Sequence, residues 1–212
     1  MTINEGKFVS EGLSLSEAVY NCRAMRRIKS DEVPERLLVQ LIDAANQAPS
    51  GSNSQNARWI VVRDPVVKKQ LADLNRLHGE PYISAGIKKP DSEKHKRMLD
   101  AVVWQMDHLH EVPALIVACF DYPEKVEGLG VYRSAGSVWP GIQNLLLTAR
   151  SFGLAAAPTT LALRDQDAVR EVLNLPETFA ALCLIPVGYP MGKFGPVARR
   201  PVEDVMRFDR WD

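Results

Sequence analysis

Two short runs of apolar residues limit most strongly what this 212-residue chain can fold into: Ala114–Phe120 and Phe179–Val187. Runs of this length are typical of strands that are buried on both faces, and they are too short to cross a lipid bilayer. A strand that is buried on both faces needs a covering layer on each side, which helices ordinarily supply. The two runs therefore predict a central sheet that lies between helices.

Helical and strand patterns alternate around these runs. The predicted helices cover about 14–25, 31–47, 92–108, 135–152 and 165–173, with another that begins at Asp64-Pro65, and further strands are predicted at 58–62 and 155–161. Residues 78–92 have no clear period, and we expect a loop or lid there. The alternation indicates an α/β or α+β class in a single domain, residues 1–212.

Charge and cysteine content exclude several classes of function. The 26 basic and 26 acidic side chains cancel, so no long-range field favours nucleic acid or an anionic membrane. The three cysteines are widely spaced and odd in number, which argues against a disulfide framework and against a metal site of paired cysteines. No apolar segment of signal-peptide length occurs in residues 1–16. We expect a cytoplasmic protein without a bound metal.

The common nucleotide and hydrolase motifs are missing. The nearest approach to the dinucleotide pattern GxGxxG is Gly128-Leu129-Gly130, but Arg133 stands at the third glycine position. The chain has neither the phosphate-binding loop GxxxxGK[ST] nor the GxSxG elbow of serine hydrolases. Any redox or group-transfer function must therefore depend on another site.

Three polar segments stand out from the rest. Arg23-Ala24-Met25-Arg26-Arg27 offers forked guanidinium donors, which suit a phosphate or an electron-rich ring edge, although such a run also fits a solvated helix end. The segment from Ala48 to Gln55 is rich in hydroxyl, glycine and amide groups, which suit a heteroaromatic ring or phosphate, although a plain loop would look the same. Arg199-Arg200 is a short cationic turn that could join the first segment in space or remain solvated.

Taken in order, these segments resemble the nitroreductase family of flavin mononucleotide (FMN) enzymes from about Ala18 to Trp211. The arginine segment resembles the opening motif of the family, and Ala48-Pro49-Ser50-Gly51-Ser52-Asn53-Ser54-Gln55 resembles its A-P-S-G-x-N-x-Q segment. Residues 137–154 resemble its central helix, and residues 185–190 followed by Arg199-Arg200-Pro201 resemble its closing strand and tail.

The resemblance implies an α+β sandwich with a central, mostly antiparallel sheet flanked by helices, in an intertwined homodimer with FMN at the subunit interface. It implies that Arg23, Arg26 and Arg27, with Ala24 among them, bind the phosphate and the N1/O2 edge of the flavin, and that Arg199 and Arg200 complete the phosphate site. Pro49, Ser50, Gly51, Ser52, Asn53 and Gln55 would approach FMN from the other subunit. Pro158, Thr159 and Thr160 would lie near the flavin ring and its N5 atom.

The implied activity is a ping-pong oxidoreductase reaction. Electrons would pass from NAD(P)H as co-substrate through flavin N5 to a small electron-poor acceptor, such as a nitroaromatic or a quinone. The cofactor carries the chemistry, so no catalytic side chain is assigned. Two other functions stay open: reductive dehalogenation or flavin consumption on the same fold, and flavin binding without turnover. A dimer that binds no flavin is a fourth possibility.

The chain departs from the family pattern at several positions. Cys22 and Ala24 stand where many members have Arg and Ser. Residues 78–110 match no pattern that we can read, and we expect a variable lid or substrate segment there. Four residues are candidates to line the cleft: Tyr82, Trp104, His108 and Tyr132.

Overall fold

The computed structural model describes residues 13–87, 92–124 and 135–211. Within these ranges the helices are α1 (Leu15–Asn21), α2 (Glu35–Asn46), α3 (Pro65–Ile87), α4 (Glu93–His108), α5 (Val138–Ser151) and α6 (Gln166–Leu173). The strands are β1 (Ala57–Val62), β2 (Ala114–Asp121), β3 (Ala155–Ala156) and β4 (Phe179–Gly188). Short 3₁₀ turns add to these, among them Gly51–Asn53, Ala135–Ser137 and Leu161–Arg164.

The two apolar runs form the centre of one antiparallel sheet. The strand order is β1-β2-β4-β3. Strand β2 pairs with β4 from Ala114 opposite Val187 to Asp121 opposite Phe179, with an irregularity between Ala118 and Cys119. The predicted central position of both runs is confirmed.

Alternate residues of β2 enter two different cores. Ile116 and its neighbours at even positions pack with helices α2 and α5, among them Leu41 and Leu145. Leu115 and its neighbours at odd positions pack with α3 and α6, among them Leu71. Period-two alternation therefore puts one helical layer on each face of the sheet. The α+β class, with an antiparallel sheet between helices, is confirmed.

Side-chain caps begin four of the predicted helices, among them α4, where the hydroxyl of Ser92 accepts a hydrogen bond from the backbone N–H of His95 at 3.1 Å. The hydroxyl of Ser14 accepts a hydrogen bond from the backbone N–H of Glu17 at 3.1 Å. Asp64 Oδ1 accepts from the backbone N–H groups of Val66 and Val67 at 2.8 and 3.0 Å. Asp165 caps α6 in the same way. Such caps satisfy the free N–H groups of the first turn and fix where each helix begins.

Three predicted boundaries are wrong. Helix α3 continues to Ile87, with Pro81 inside it, so residues 78–87 are helical rather than a loop. The strand expected at 155–161 is reduced to Ala155–Ala156 and an isolated bridge between Thr159 and Leu184. Helix α1 ends at Asn21, so the arginine segment lies beyond it.

Two sequence features fall outside the described residues: the Gly128–Gly130 loop and Tyr132. In the part of the chain that the structure describes, no helix combines the length and the apolar character that a bilayer span requires.

Candidate functional site

The first arginine segment is held against the end of strand β4. The backbone N–H of Lys29 donates to the carbonyl of Tyr189 at 2.8 Å, and the N–H of Met191 donates to the carbonyl of Arg27 at 3.0 Å. Ile28 forms the bridge with Pro190 between these two bonds. The segment is therefore not the end of helix α1, as the sequence predicted, but an arm beyond it that backbone hydrogen bonds hold at Arg27 and Lys29; Arg23 and Arg27 are exposed to solvent.

The C-terminal tail returns to this arm. Nη2 of Arg23 donates to the carbonyl of Lys193 at 3.0 Å, and the N–H of Val197 donates to the carbonyl of Tyr20 at 2.9 Å. The tail then reaches Arg199, which is close enough to Cys22 for its charge to act on the thiol. The structure therefore brings Arg199 to the arm that carries Arg23, and Arg200 is the next residue, exposed at the surface.

No carboxylate in the described part of the chain pairs with the cations of this region. None of the five predicted arginines, at 23, 26, 27, 199 and 200, forms an ion pair with a carboxylate among the described residues. Arg26 is half-buried, and burial lowers the pKa of its guanidinium while Tyr82 opposes that change. Cations that converge without carboxylate partners suit a phosphate, which accepts forked guanidinium donors. The donor set therefore fits the phosphate of FMN.

The second segment forms a tight, exposed turn. The N–H of Gly51 donates to the hydroxyl of Ser137 at 3.2 Å, and the N–H of Gln55 donates to the hydroxyl of Ser50 at 3.1 Å. Ser52, Asn53 and Gln55 all have positive φ, between 51° and 52°. Non-glycine residues adopt that region rarely, so three of them in one loop mark a conformation that the surrounding contacts enforce.

Among the described residues, this loop forms no hydrogen bond or ion pair with the predicted arginines. Across the described ranges, no hydrogen bond or ion pair joins residues 48–55 to the arm at 22–27 or to the tail at 191–200. Pro49 and residues 51–55 are exposed. The described residues therefore show no direct contact between the two predicted halves of the cofactor site within one chain.

The third segment is tied to the sheet and to α3. Thr159 exchanges two backbone hydrogen bonds with Leu184, at 2.8 and 2.9 Å, and its hydroxyl donates to Oδ1 of the buried Asn75 at 3.4 Å. Pro158 is half-buried before it, and Thr160 is exposed after it. These bonds fix the backbone at 158–160 while leaving Thr160 accessible.

One face of α3 contacts Thr159 at one end and lies near Arg26 at the other. The sequence analysis did not predict this role of α3. Asn75 meets Thr159, and a Cβ at Gly79 would lie 3.3 Å from Leu161 and 2.8 Å from Met106. Tyr82, next on the same face, is close enough to Arg26 to affect its pKa. The spacing i, i+4, i+7 of Asn75, Gly79 and Tyr82 was a readable signal of a shared helical face.

The other cleft candidates form a separate pair on α4. The rings of Trp104 and His108 are stacked, with centroids 4.3 Å apart, and Nδ1 of His108 lies 3.0 Å from Oε2 of Glu111. No described contact connects this pair to the arginines or to Thr159.

Comparisons with known proteins agree with this architecture. A model of the nitroreductase family matches residues 21–189. The chain is 30% identical over 205 residues to an NADH dehydrogenase of Thermus thermophilus. That alignment covers 92% of this chain and 95% of the relative. It is 28% identical over 171 residues to an iodotyrosine deiodinase of Thermotoga neapolitana, in an alignment that covers 79% of this chain and 84% of the relative.

A crystal structure of oxidised iodotyrosine deiodinase, bound to FMN and 3-iodo-L-tyrosine, has the same fold. Its TM-score against this chain is 0.73 at 26% identity, and the match covers 93% of this chain and 100% of the other. The resemblance seen in the sequence is confirmed by the family match and by this fold. The chain belongs to the nitroreductase family.

Proposed function

We propose that this protein is an FMN-dependent oxidoreductase that passes electrons from NADH or NADPH to a small electron-poor acceptor, such as a nitroaromatic or a quinone. The observation that carries the proposal is the cluster of arginines from two ends of the chain, which have no carboxylate partner among the described residues. Membership of the family and the 30% identity to an NADH dehydrogenase support the nicotinamide step.

The arginines would bind and orient the cofactor. Arg23, Arg27, Arg199 and Arg200 are exposed and suit the phosphate, whereas the half-buried Arg26 suits the N1/O2 edge of the ring. When bound, FMN supplies two-electron redox chemistry. A fixed cation near N1 favours the reduced form of the cofactor, because charge develops there on reduction. Solvent can supply the proton to the acceptor, so the proposal assigns no general acid.

The proposal includes a homodimer with two shared cofactor sites. In this dimer the exposed loop at 51–55 would meet the arginine arm of the second copy, in keeping with the lack of a described hydrogen bond between the loop and the arm within one chain. Apolar side chains that a dimer would cover include Leu15, which is 75% exposed, and Trp211, which is 68% exposed. A dimer would therefore both complete the site and remove apolar surface from water.

The proposed substrate segment at 78–110 begins within helix α3, which ends at Ile87. The face of α3 toward Arg26 and Thr159 would border the cleft, with Tyr82, 48% exposed, at the rim. NAD(P)H and the acceptor would occupy this one cleft in turn, which predicts ping-pong kinetics. The three cysteines are all free thiols, in keeping with the cytoplasm as the site of action.

Steady-state kinetics test the proposal. FMN-loaded protein should oxidise NADH or NADPH with a nitroaromatic or quinone acceptor, and double-reciprocal plots at several acceptor concentrations should be parallel. Lines that intersect would contradict a shared cleft used in turn. Tight FMN binding without any nicotinamide oxidation would favour a flavin-binding module that does not turn over.

A second candidate is reductive dehalogenation of an aromatic substrate. It is favoured by the matches to iodotyrosine deiodinases, in sequence and in the structure with bound 3-iodo-L-tyrosine. The two candidates differ in what reoxidises the reduced protein. Faster anaerobic reoxidation by an iodinated phenol than by a nitroaromatic, with release of iodide, would support the second candidate over the first.

A further inference from the structure

Arg150 is a cation that the site described above leaves unused. It lies in the last turn of α5, and its guanidinium carbon stands 4.3 Å from the centre of the Phe194 ring. Its Nε atom is buried and has no hydrogen-bond partner. No carboxylate in the described part of the chain forms an ion pair with it. A buried donor without an acceptor is costly, unless a ligand supplies the acceptor.

The tail segment 193–195 contacts both Arg23 and Arg150. The carbonyl of Lys193 accepts the hydrogen bond from Arg23, the ring of Phe194 supports Arg150, and a Cβ at Gly195 would lie 3.9 Å from Nη1 of Arg23. Three consecutive tail residues therefore contact guanidinium groups from two distant parts of the sequence. The same short stretch of the tail holds both cations, Arg23 through a backbone carbonyl and Arg150 through an aromatic ring.

Cys22 lies close enough to both Arg150 and Arg199 for their charges to act on its thiol. Burial raises the pKa of the Cys22 thiol, and the positive charges of Arg150 and Arg199 oppose that rise. Both guanidinium groups therefore act on the same side chain at the start of the arginine arm. Cys22 stands where many members of the family carry an arginine, so this chain lacks one cation on the arm itself and has one on α5 beside it.

We propose that Arg150 is a further residue of the FMN phosphate site, where its guanidinium supplies the positive charge and the donors that Cys22 cannot. The inference rests on the proposed function. Phe194 would act as the support that holds the guanidinium plane in place, since a cation above an aromatic face is attracted to it. Arg150 as a whole is only half-buried, so the other nitrogen atoms of its guanidinium would donate to the phosphate.

The test compares two ligands that differ only in the phosphate: FMN and riboflavin. Affinities for both are measured by quenching of flavin fluorescence in the wild type, R150A, R150Q and R150K. The matched control is R170Q, because Arg170 on α6 also has a buried Nε without a partner and is held by Asp167 instead. Circular dichroism and thermal melting verify that each variant is folded.

We expect R150A and R150Q to bind FMN about tenfold more weakly or worse, with riboflavin affinity unchanged, because a charge-assisted bond to phosphate is lost. R150K should recover part of the loss, and R170Q should behave as the wild type. Equal affinity of wild type and R150Q for FMN, or an equal loss for both ligands, would overturn the inference. If R150A does not fold, R150Q decides. A wild type that binds neither flavin would instead refute the proposed function itself.

Discussion

Gly188, the last residue of β4, is the position where the arm packs most closely on the sheet. A Cβ built on it would lie 2.5 Å from Cγ2 of Ile28 and 2.8 and 2.9 Å from two ring carbons of Pro113. Carbon atoms in contact normally stand about 3.5–4.0 Å apart, so an added methyl group would overlap both neighbours by about 1 Å. Ile28 is only 3% exposed and has little room to move.

We therefore predict that G188A destabilises the protein by about 1–3 kcal/mol, the usual cost of overpacking. For a chain of this size, that corresponds to a fall in Tm of roughly 2–12 °C. The substitution should also weaken FMN binding, because a displaced Ile28 would move Arg26 and Arg27, which directly precede it. Urea denaturation at one fixed protein concentration measures the first effect, and flavin fluorescence measures the second.

G136A is the matched control, since a Cβ at Gly136 meets no atom within 4 Å. The double variant I28A/G188A isolates the clash, because I28A removes the Cγ2 atom. The two changes together should cost at least about 1 kcal/mol less than their sum. G188A as stable as G136A would contradict the close contact between Ile28 and Gly188. Full additivity of the stability losses of I28A and G188A would contradict it as well.

Three further predictions concern the site and the core. R26A and R200A should each weaken FMN binding by about 1.5–3 kcal/mol if they make charge-assisted bonds to the flavin, and unchanged affinity in both would remove them from the site. Burial raises the pKa of Cys119 and of Cys183 to about 12, so iodoacetamide should leave both thiols unmodified in the folded protein at pH 8. Their protonated forms stabilise the fold below the thiol pKa of the unfolded chain, about 9, and that contribution should fall as the pH rises from about 9 to 12. Light scattering should give about twice the 23.6 kDa chain mass for the FMN-loaded protein, and a single-chain mass would contradict the shared site.

The elements that sequence reasoning located correctly are those with local causes. The run Ala114–Phe120 is apolar at every position, and only a doubly covered strand accommodates that. Ser14 and Asp64 cap the helices that follow them because their side-chain oxygens reach the N–H groups two or three residues ahead. Neither inference needs knowledge of a distant residue.

The errors arise where distant contacts override local signals. Gly79 and Pro81 read as helix breakers, yet α3 continues through both. At Gly79 the helix packs closely on α4, since a Cβ there would lie 2.8 Å from Sδ of Met106. In the opposite sense, residues 157–161 have strand-like composition, but the chain turns away from β4 and keeps only the bridge at Thr159.

Some residues of the candidate site had a local signal in the sequence, and others depend on distant contacts. The arginines of the arm and the tail were visible as charge clusters in the sequence, although their approach in space was only a hypothesis. Asn75 and Arg150 gave no comparable signal, because each is a single polar residue in an amphipathic helix. Their importance depends on what the fold puts beside them: Thr159 in one case and Phe194 in the other.

The central claim is that this chain binds FMN and reduces it with a nicotinamide. The most direct measurement is an absorbance spectrum of the purified protein, loaded with FMN if necessary, before and after anaerobic addition of NADH or NADPH. The account predicts flavin bands that bleach when one of the two donors is added. Flavin bands that persist with both donors would contradict the nicotinamide step, and a protein that acquires no flavin bands after incubation with FMN would contradict the cofactor assignment itself.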